Sequence, residues 1–170
     1  TGVLVKRKDV SLKIQMDGGK STSIYRSGTP MLANVVACDE ALTIAMAHQK
    51  ERESYVHMLQ QNLLDFLKDF PEVHINNTKY SDAYVVNFSI LGVRAELFSE
   101  ALEAHEIYLS TKTSCCPVNA PSKIVFALTK DKKLASTSLR LSLSHLTTPE
   151  EIEAFKQAFV LSLKEIKENG

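Results

Sequence analysis

Between Pro30 and Pro71 the chain carries forty residues with neither proline nor glycine. Nothing in that stretch stops a helix, and a straight one would be about 60 Å long. Globular domains seldom hold a helix of that length, so the fold must either share it between two bodies or bend it. The two halves differ. MLANVVACDEALTIAMAHQ is rich in alanine and small apolar residues, which suits close packing against another element. In the second half Val56, Leu59, Leu63, Phe66 and Leu67 form one stripe, the mark of an amphipathic helix. A bend between Gln49 and Glu53, where one domain hands over to the next, is expected. His48 and His57 sit among polar residues and read as surface histidines. Phe70-Pro71 ends the element, because the residue before proline disfavours helical ψ.

Before Pro30 the chain is β-prone and then polar. TGVLVKRKD reads as a strand, SLKIQMDGG as a shorter one turned by Gly18-Gly19, and GKSTSIYRSGTP as a loop leading into the helix. After Pro71 the period changes. VHINN and Ala83–Ser89 are strand candidates, the second rich in β-branched and aromatic residues. Arg94 to Ala104 has a helical pattern, with Leu97, Ala101 and Leu102 expected on one side. Glu106 to Ser110 reads as a strand, Lys123 to Leu128 as a short helix, and Ser138 to Ser144 alternates strictly. Thr148, Pro149 and Glu151 form a capping-box start to a last helix reaching about Glu168. Its inward residues are Ile152, Phe155, Phe159 and Leu163. The order from Pro71 onward predicts an α+β domain, helices covering one face of a small, mainly antiparallel sheet.

Twenty basic residues balance twenty acidic ones, so nothing draws the chain toward nucleic acid or anionic lipid. No apolar run approaches the length of a membrane span. Cys38, Cys115 and Cys116 form neither a disulfide framework nor a zinc pattern. A reducing compartment, the cytoplasm, fits them best.

Three polar stretches carry candidate chemistry. Leu109–Ser122, LSTKTSCCPVNAPS, has too little apolar area to be packing, and Pro117 breaks regular structure. It reads as a loop carrying Cys115 and Cys116 near solvent, either a candidate nucleophile, since reactivity needs access, or a pair of unreactive thiols. Arg140 lies mid-strand, opposite Leu139, Leu141 and Leu143 and flanked by serines. That is an ordinary solvated arginine or a bidentate carboxylate holder. Arg26-Ser27-Gly28-Thr29 precedes the long helix. It offers amides, a hydroxyl and a helix dipole to a phosphate, or a plain N-cap to the helix.

Taken together, Arg26-Ser27-Gly28-Thr29, Ser110-Thr111 through Ser114-Cys115, Pro121-Ser122, Ser138–Leu143 and Thr147–Glu151 resemble the cysteine desulfurases. These are pyridoxal 5'-phosphate enzymes of the class V aminotransferase group with the type I fold. The resemblance spans all 170 residues but corresponds to the carboxy-terminal part of such an enzyme. It implies a remnant of the large domain over 1–50 and the small domain over 51–170. It implies that Cys115 attacks the sulfur of L-cysteine and carries it as a persulfide. Arg140 matches the arginine that binds the α-carboxylate. Thr29 matches a threonine that reaches the cofactor phosphate of the neighbouring subunit, hence a homodimer, with Arg26 in the same motif. Sulfur would then pass to an acceptor or scaffold protein, as in iron–sulfur cluster assembly. The family lysine that links the cofactor covalently belongs just before Thr1, so these residues alone are expected neither to bind the cofactor through a lysine nor to turn over. The apolar Val3–Val5 edge is expected to be covered by another copy of the chain or to lack order.

Lys112 stands where the family often has glycine, and its charge would favour a nearby thiolate. Ser144 also replaces a common glycine. Two other readings stay open. One is an aminotransferase or a cysteine or selenocysteine lyase of the same fold, since any amino-acid substrate presents a carboxylate to Arg140. The other is a non-catalytic α+β interaction module.

Overall fold

In the computed structural model the described residues are 2–19, 23–112 and 120–169. The chain divides into two compact units, Thr1–Gln49 and Lys50–Gly170. The long helix α1 spans Leu32–Leu67. It is helical without a break through Gln49–Glu53, the stretch in which the two units divide.

In the first unit the described residues before α1 form no strand. The β-prone run Val3–Val5 lies in no strand, and Val5 is 89% exposed. Strand propensity is a fit to a neighbouring ladder, and no described segment supplies one here. The second β-prone piece makes a single parallel bridge, Met16 to Arg26. There the Ser27 amide donates to the Met16 carbonyl at 3.3 Å.

The second unit is built on a three-stranded antiparallel sheet, β1 (Val73–Ile75), β2 (Val85–Ile90) and β3 (Ser138–Ser142), in the order β1-β2-β3. Phe88 faces Leu139 and Val86 faces Leu141 across β2 and β3. These apolar residues share one face, and that face is buried against helices. The carboxy-terminal half of α1 contributes Val56, Leu59, Leu63 and Leu67. Helix α2 (Ala95–Glu103) contributes Phe98 and Leu102, and α5 (Pro149–Asn169) contributes Ile152, Phe155, Phe159 and Leu163. Phe159 is fully buried and meets five other rings, from Phe70 at 4.9 Å to Phe88 at 6.0 Å between centroids. Edge-to-face packing of this kind adds to the area each ring buries. The observed α+β class is the one the sequence predicts.

Three local expectations need correcting. On α2 the buried stripe is Ala95, Phe98 and Leu102, while Leu97 is exposed. The helix is phased by Phe98, the largest apolar side chain in it. Glu106–Ser110 is not a strand. Glu106 takes a left-handed φ of 61°, and the Ile107 amide turns back to the Leu102 carbonyl at 3.1 Å to close the end of α2. Only Ser110 reaches β3. The short α3 (Lys123–Thr129) is followed by a second short helix, α4 (Lys132–Ser136), started by an Asp131 cap that accepts from the Lys133 and Leu134 amides. The Ser89 hydroxyl, on the sheet face opposite Phe88, donates to the Leu134 carbonyl at 2.8 Å. So α4 lies against the second face of the sheet, and the helices are not confined to one.

The start of α5 is as the sequence predicts. The Thr148 hydroxyl accepts from the Glu151 amide at 3.2 Å, and the Glu151 carboxylate accepts from the Thr148 amide at 2.8 Å.

Candidate functional site

The second face of the sheet is polar where α3 and α4 leave it open. Strict alternation along β3 puts Ser138, Arg140 and Ser142 there, because Leu139 and Leu141 go to the core. The register sets Asn87 of β2 opposite Arg140. Beyond it the Asn76 amide continues the ladder by donating to the Asn87 carbonyl at 2.8 Å. On the other edge Ser110 pairs with Arg140. Its amide donates to the Arg140 carbonyl at 3.1 Å, and its carbonyl accepts from the Arg140 amide at 2.7 Å. A row Asn76–Asn87–Arg140–Ser110 thus crosses the sheet, spanning about 14 Å at the usual strand spacing.

Above this row lies a cavity of about 270 Å³. Its floor is Asn76, Asn87, Ser110 and Arg140, and one wall is apolar, from Ile124, Val125 and Leu128 of α3. The Arg140 guanidinium donates through Nη2 to the Ser110 hydroxyl at 3.2 Å. Among the described residues no carboxylate pairs with it. Asp82 lines the same cavity, but its Oδ1 accepts from the Tyr84 amide at 2.8 Å. A forked cation held from behind by a neutral hydroxyl and open toward a cavity is suited to an external carboxylate.

Residues 113–119 lie outside the described residues, and with them Cys115 and Cys116. The chain on either side is described. Thr111, Lys112 and Ser122 all line the Arg140 cavity. Lys112 Nζ is paired with the Glu96 carboxylate of α2 at 3.6 Å, with both side chains largely buried. Its charge is already countered, which weakens the expected support for a thiolate. Ser122 caps α3, its hydroxyl accepting from the Val125 amide at 3.3 Å.

Arg26 and Thr29 belong to the first unit. Both are exposed. The loop is tied back by the Ser27 hydroxyl, which donates to the Asp17 carbonyl at 3.0 Å. Gly28 takes a left-handed φ of 110°, and a Cβ there would stand 3.5 Å from the Arg26 guanidinium. Thr29 does not cap the helix. The Met31 carbonyl accepts the first helical bond, from Val35 at 3.1 Å. An N-cap is therefore not what the Gly-Thr pair provides. Cys38 carries a free thiol, and among the described residues no group of metal-ligating side chains is assembled.

Sequence reasoning found Arg140 and Ser110 but passed over Asn76 and Asn87. A signal was present: asparagine is depleted in strands, yet Asn87 sits in mid-run at a position that alternates with Val86 and Phe88.

The family model "Aminotransferase class-V" matches residues 4–155. The chain therefore belongs to the class-V aminotransferase family. Among curated proteins it is 34% identical over 152 residues to "Cysteine desulfurase IscS" of Tolumonas auensis, covering 88% of this chain and 37% of that protein. It is 27% identical over 161 residues to "NifS/IcsS protein homolog" of Lactobacillus delbrueckii subsp. bulgaricus, covering 93% of this chain and 42% of that one. The fold matches the crystal structure of a NifS-like protein from Rickettsia africae with a TM-score of 0.76 at 24% identity, over 91% of this chain and 41% of that one. The chain thus spans about two-fifths of the length of these relatives.

Membership of this family implies pyridoxal phosphate as the cofactor of the full-length enzyme. Arg26 and Thr29 offer a cation and a hydroxyl on a glycine loop, the donor set a phosphate takes. No helix among the described residues is long and apolar enough to cross a membrane.

Proposed function

We propose that this chain is the carboxy-terminal portion of a cysteine desulfurase, with residues 1–50 from the large domain and 51–170 forming the small one. The observation that supports it best is the placement of Arg140. It opens into a cavity also lined by Thr111, Lys112 and Ser122, which flank the Cys115 segment on both sides. A carboxylate held at Arg140 therefore lies beside the two ends of the segment that carries the thiol.

In this reading Arg140 binds and orients the α-carboxylate of L-cysteine, and Ser110 fixes the guanidinium. Arg26 and Thr29 hold the cofactor phosphate of the neighbouring subunit in a homodimer. Pyridoxal phosphate, when bound, supplies the electron sink that weakens the bonds around the substrate's α-carbon. The Cys115 thiolate takes the sulfur. The C–S bond of cysteine breaks, an S–S bond forms, and the thiol proton is delivered to the carbon. The products are alanine and a Cys115 persulfide, with no external oxidant or reductant. The persulfide then passes to an acceptor protein. No lysine of this chain stands in the family's cofactor-linking context, so turnover requires the part of the enzyme that these residues do not span.

The test uses the full-length enzyme with L-cysteine and pyridoxal phosphate. Cys115→Ala is expected to abolish alanine release and the persulfide found by mass spectrometry, and Cys116→Ala to keep both. Normal turnover of cysteine in Cys115→Ala would replace this reading with a lyase.

A further inference from the structure

The asparagine pair beside Arg140 has a fixed polarity, and it can be traced from one buried acceptor. The Leu134 carbonyl accepts only, so the Ser89 hydroxyl that reaches it at 2.8 Å is the donor. Ser89 Oγ must then accept from Asn76, and the Asn76 group that meets it at 2.8 Å is Nδ2. The second proton of that nitrogen goes to Asn87, 2.8 Å away, where only Oδ1 can receive it. Amide orientations are assigned from such networks, and here the chain of donors leaves no alternative. With Oδ1 turned to Asn76, the Asn87 amide nitrogen is turned away from β1. Arg140 lies on that side, directly opposite in register, with Cβ atoms of such pairs about 4.5–5.5 Å apart. Both residues line the same cavity. Asn76 is 6% exposed and its Oδ1 has no partner, so its amide is held in place by what Nδ2 does.

We propose that Asn87 is the second carboxylate-binding residue of the site, its Nδ2–H donating to the anion that Arg140 holds, with Asn76 as the residue that positions it. This rests on the reading of Arg140 as the carboxylate holder. A carboxylate has more acceptor directions than a guanidinium edge fills. The Asn87 donor comes from a neighbouring strand, so the two donors fix the plane of the anion as well as its position. That selects carboxylates over monodentate anions.

The experiment is an NMR titration of the 170-residue chain with L-alanine, with L-alaninamide as the control lacking a carboxylate. L-Alanine is expected to move the Asn87 side-chain amide and the Arg140 Nε–H signals along one isotherm, and L-alaninamide to move neither. Asn87→Ala is expected to raise Kd about ten- to a hundredfold, the effect of losing a hydrogen bond to a charged group. Asn87→Asp keeps the oxygen that Asn76 needs while replacing the outward donor by an acceptor, and is expected to bind at least as weakly. It carries the test if the alanine variant fails to fold. If both variants bind like the wild type while Arg140→Ala does not, the role of Asn87 is overturned and that of Arg140 stands. If alanine moves neither signal, or binds Arg140→Ala as tightly as the wild type, the reading of Arg140 falls and this one with it.

Discussion

Among the described residues Arg140 is held by neutral oxygens and not by a counter-ion. Its backbone is locked to Ser110 by two hydrogen bonds and its guanidinium reaches the Ser110 hydroxyl. That keeps the charge whole for a ligand, where an internal carboxylate would compete. A lysine at this position keeps the charge but loses the fork, and a point charge cannot bind a carboxylate bidentately. In the full-length enzyme Arg140→Lys is expected to raise KM for cysteine about tenfold or more, measured by initial rates. The thermal midpoint should barely move, because the side chain is exposed and surface changes of this kind stay within about 0.5 kcal/mol. A variant with unchanged KM would remove Arg140 from the site.

At the scale of elements, what was legible in the sequence is what local chemistry decides. The capping box at Thr148 and Glu151 and the α5 stripe from Ile152 to Leu163 depend on residues three and four apart, and both appear as read. The alternation of β3 is equally local, and it placed Arg140 on the polar face. The strands expected at Val3–Val5 and Glu106–Ser110 depend on a partner elsewhere, which propensity cannot report. One lacks a described partner, and the other spends its first amides closing α2. The Asn76–Asn87–Ser89 chain needed the register of β1 on β2, which no single segment contains. A similar non-local tie joins the residue just before β1 to α5, where Lys167 pairs with Glu72. The hydrogen bond from Lys167 holds the Glu72 carboxyl below its ordinary value of 4.5. A lowered folded-state pKa means that the stabilisation is complete above the unfolded value and is lost as pH falls through the folded one. Glu72→Gln is therefore expected to cost about 0.2–1 kcal/mol at neutral pH, the range for a pair with one exposed partner. The cost should shrink as pH falls through the lowered folded-state value. Urea melts at neutral pH and at successively lower pH measure it, and a loss that does not change with pH would show that the ion pair contributes nothing.

The whole molecule divides its apolar surface unevenly. The second unit owns a closed core around Phe159, with its large side chains fully buried. In the first unit the described residues are mostly exposed, apolar ones included. Along the amino-terminal half of α1, Leu32, Val35, Val36, Leu42, Ile44 and Met46 are all exposed. All but Ile44 fall within one arc of about 120° at 3.6 residues per turn, and an apolar stripe of that width is normally covered. Uncovered apolar area of this extent favours association by about 25 cal/mol per Å² removed from water, before the cost of immobilising two chains. The curated relatives are more than twice as long, and a chain of their length would have other segments available as cover. In the 170-residue chain the available cover is a second copy. Sedimentation velocity over a hundredfold range of concentration is therefore expected to show reversible self-association. Val36→Glu and Met46→Lys together should shift it toward monomer, while the circular dichroism of the helices stays within error because both positions are already solvent-facing. A wild-type chain that stays monomeric at the highest concentration would mean that this surface is tolerated in water, and the argument for a covered first unit would fail.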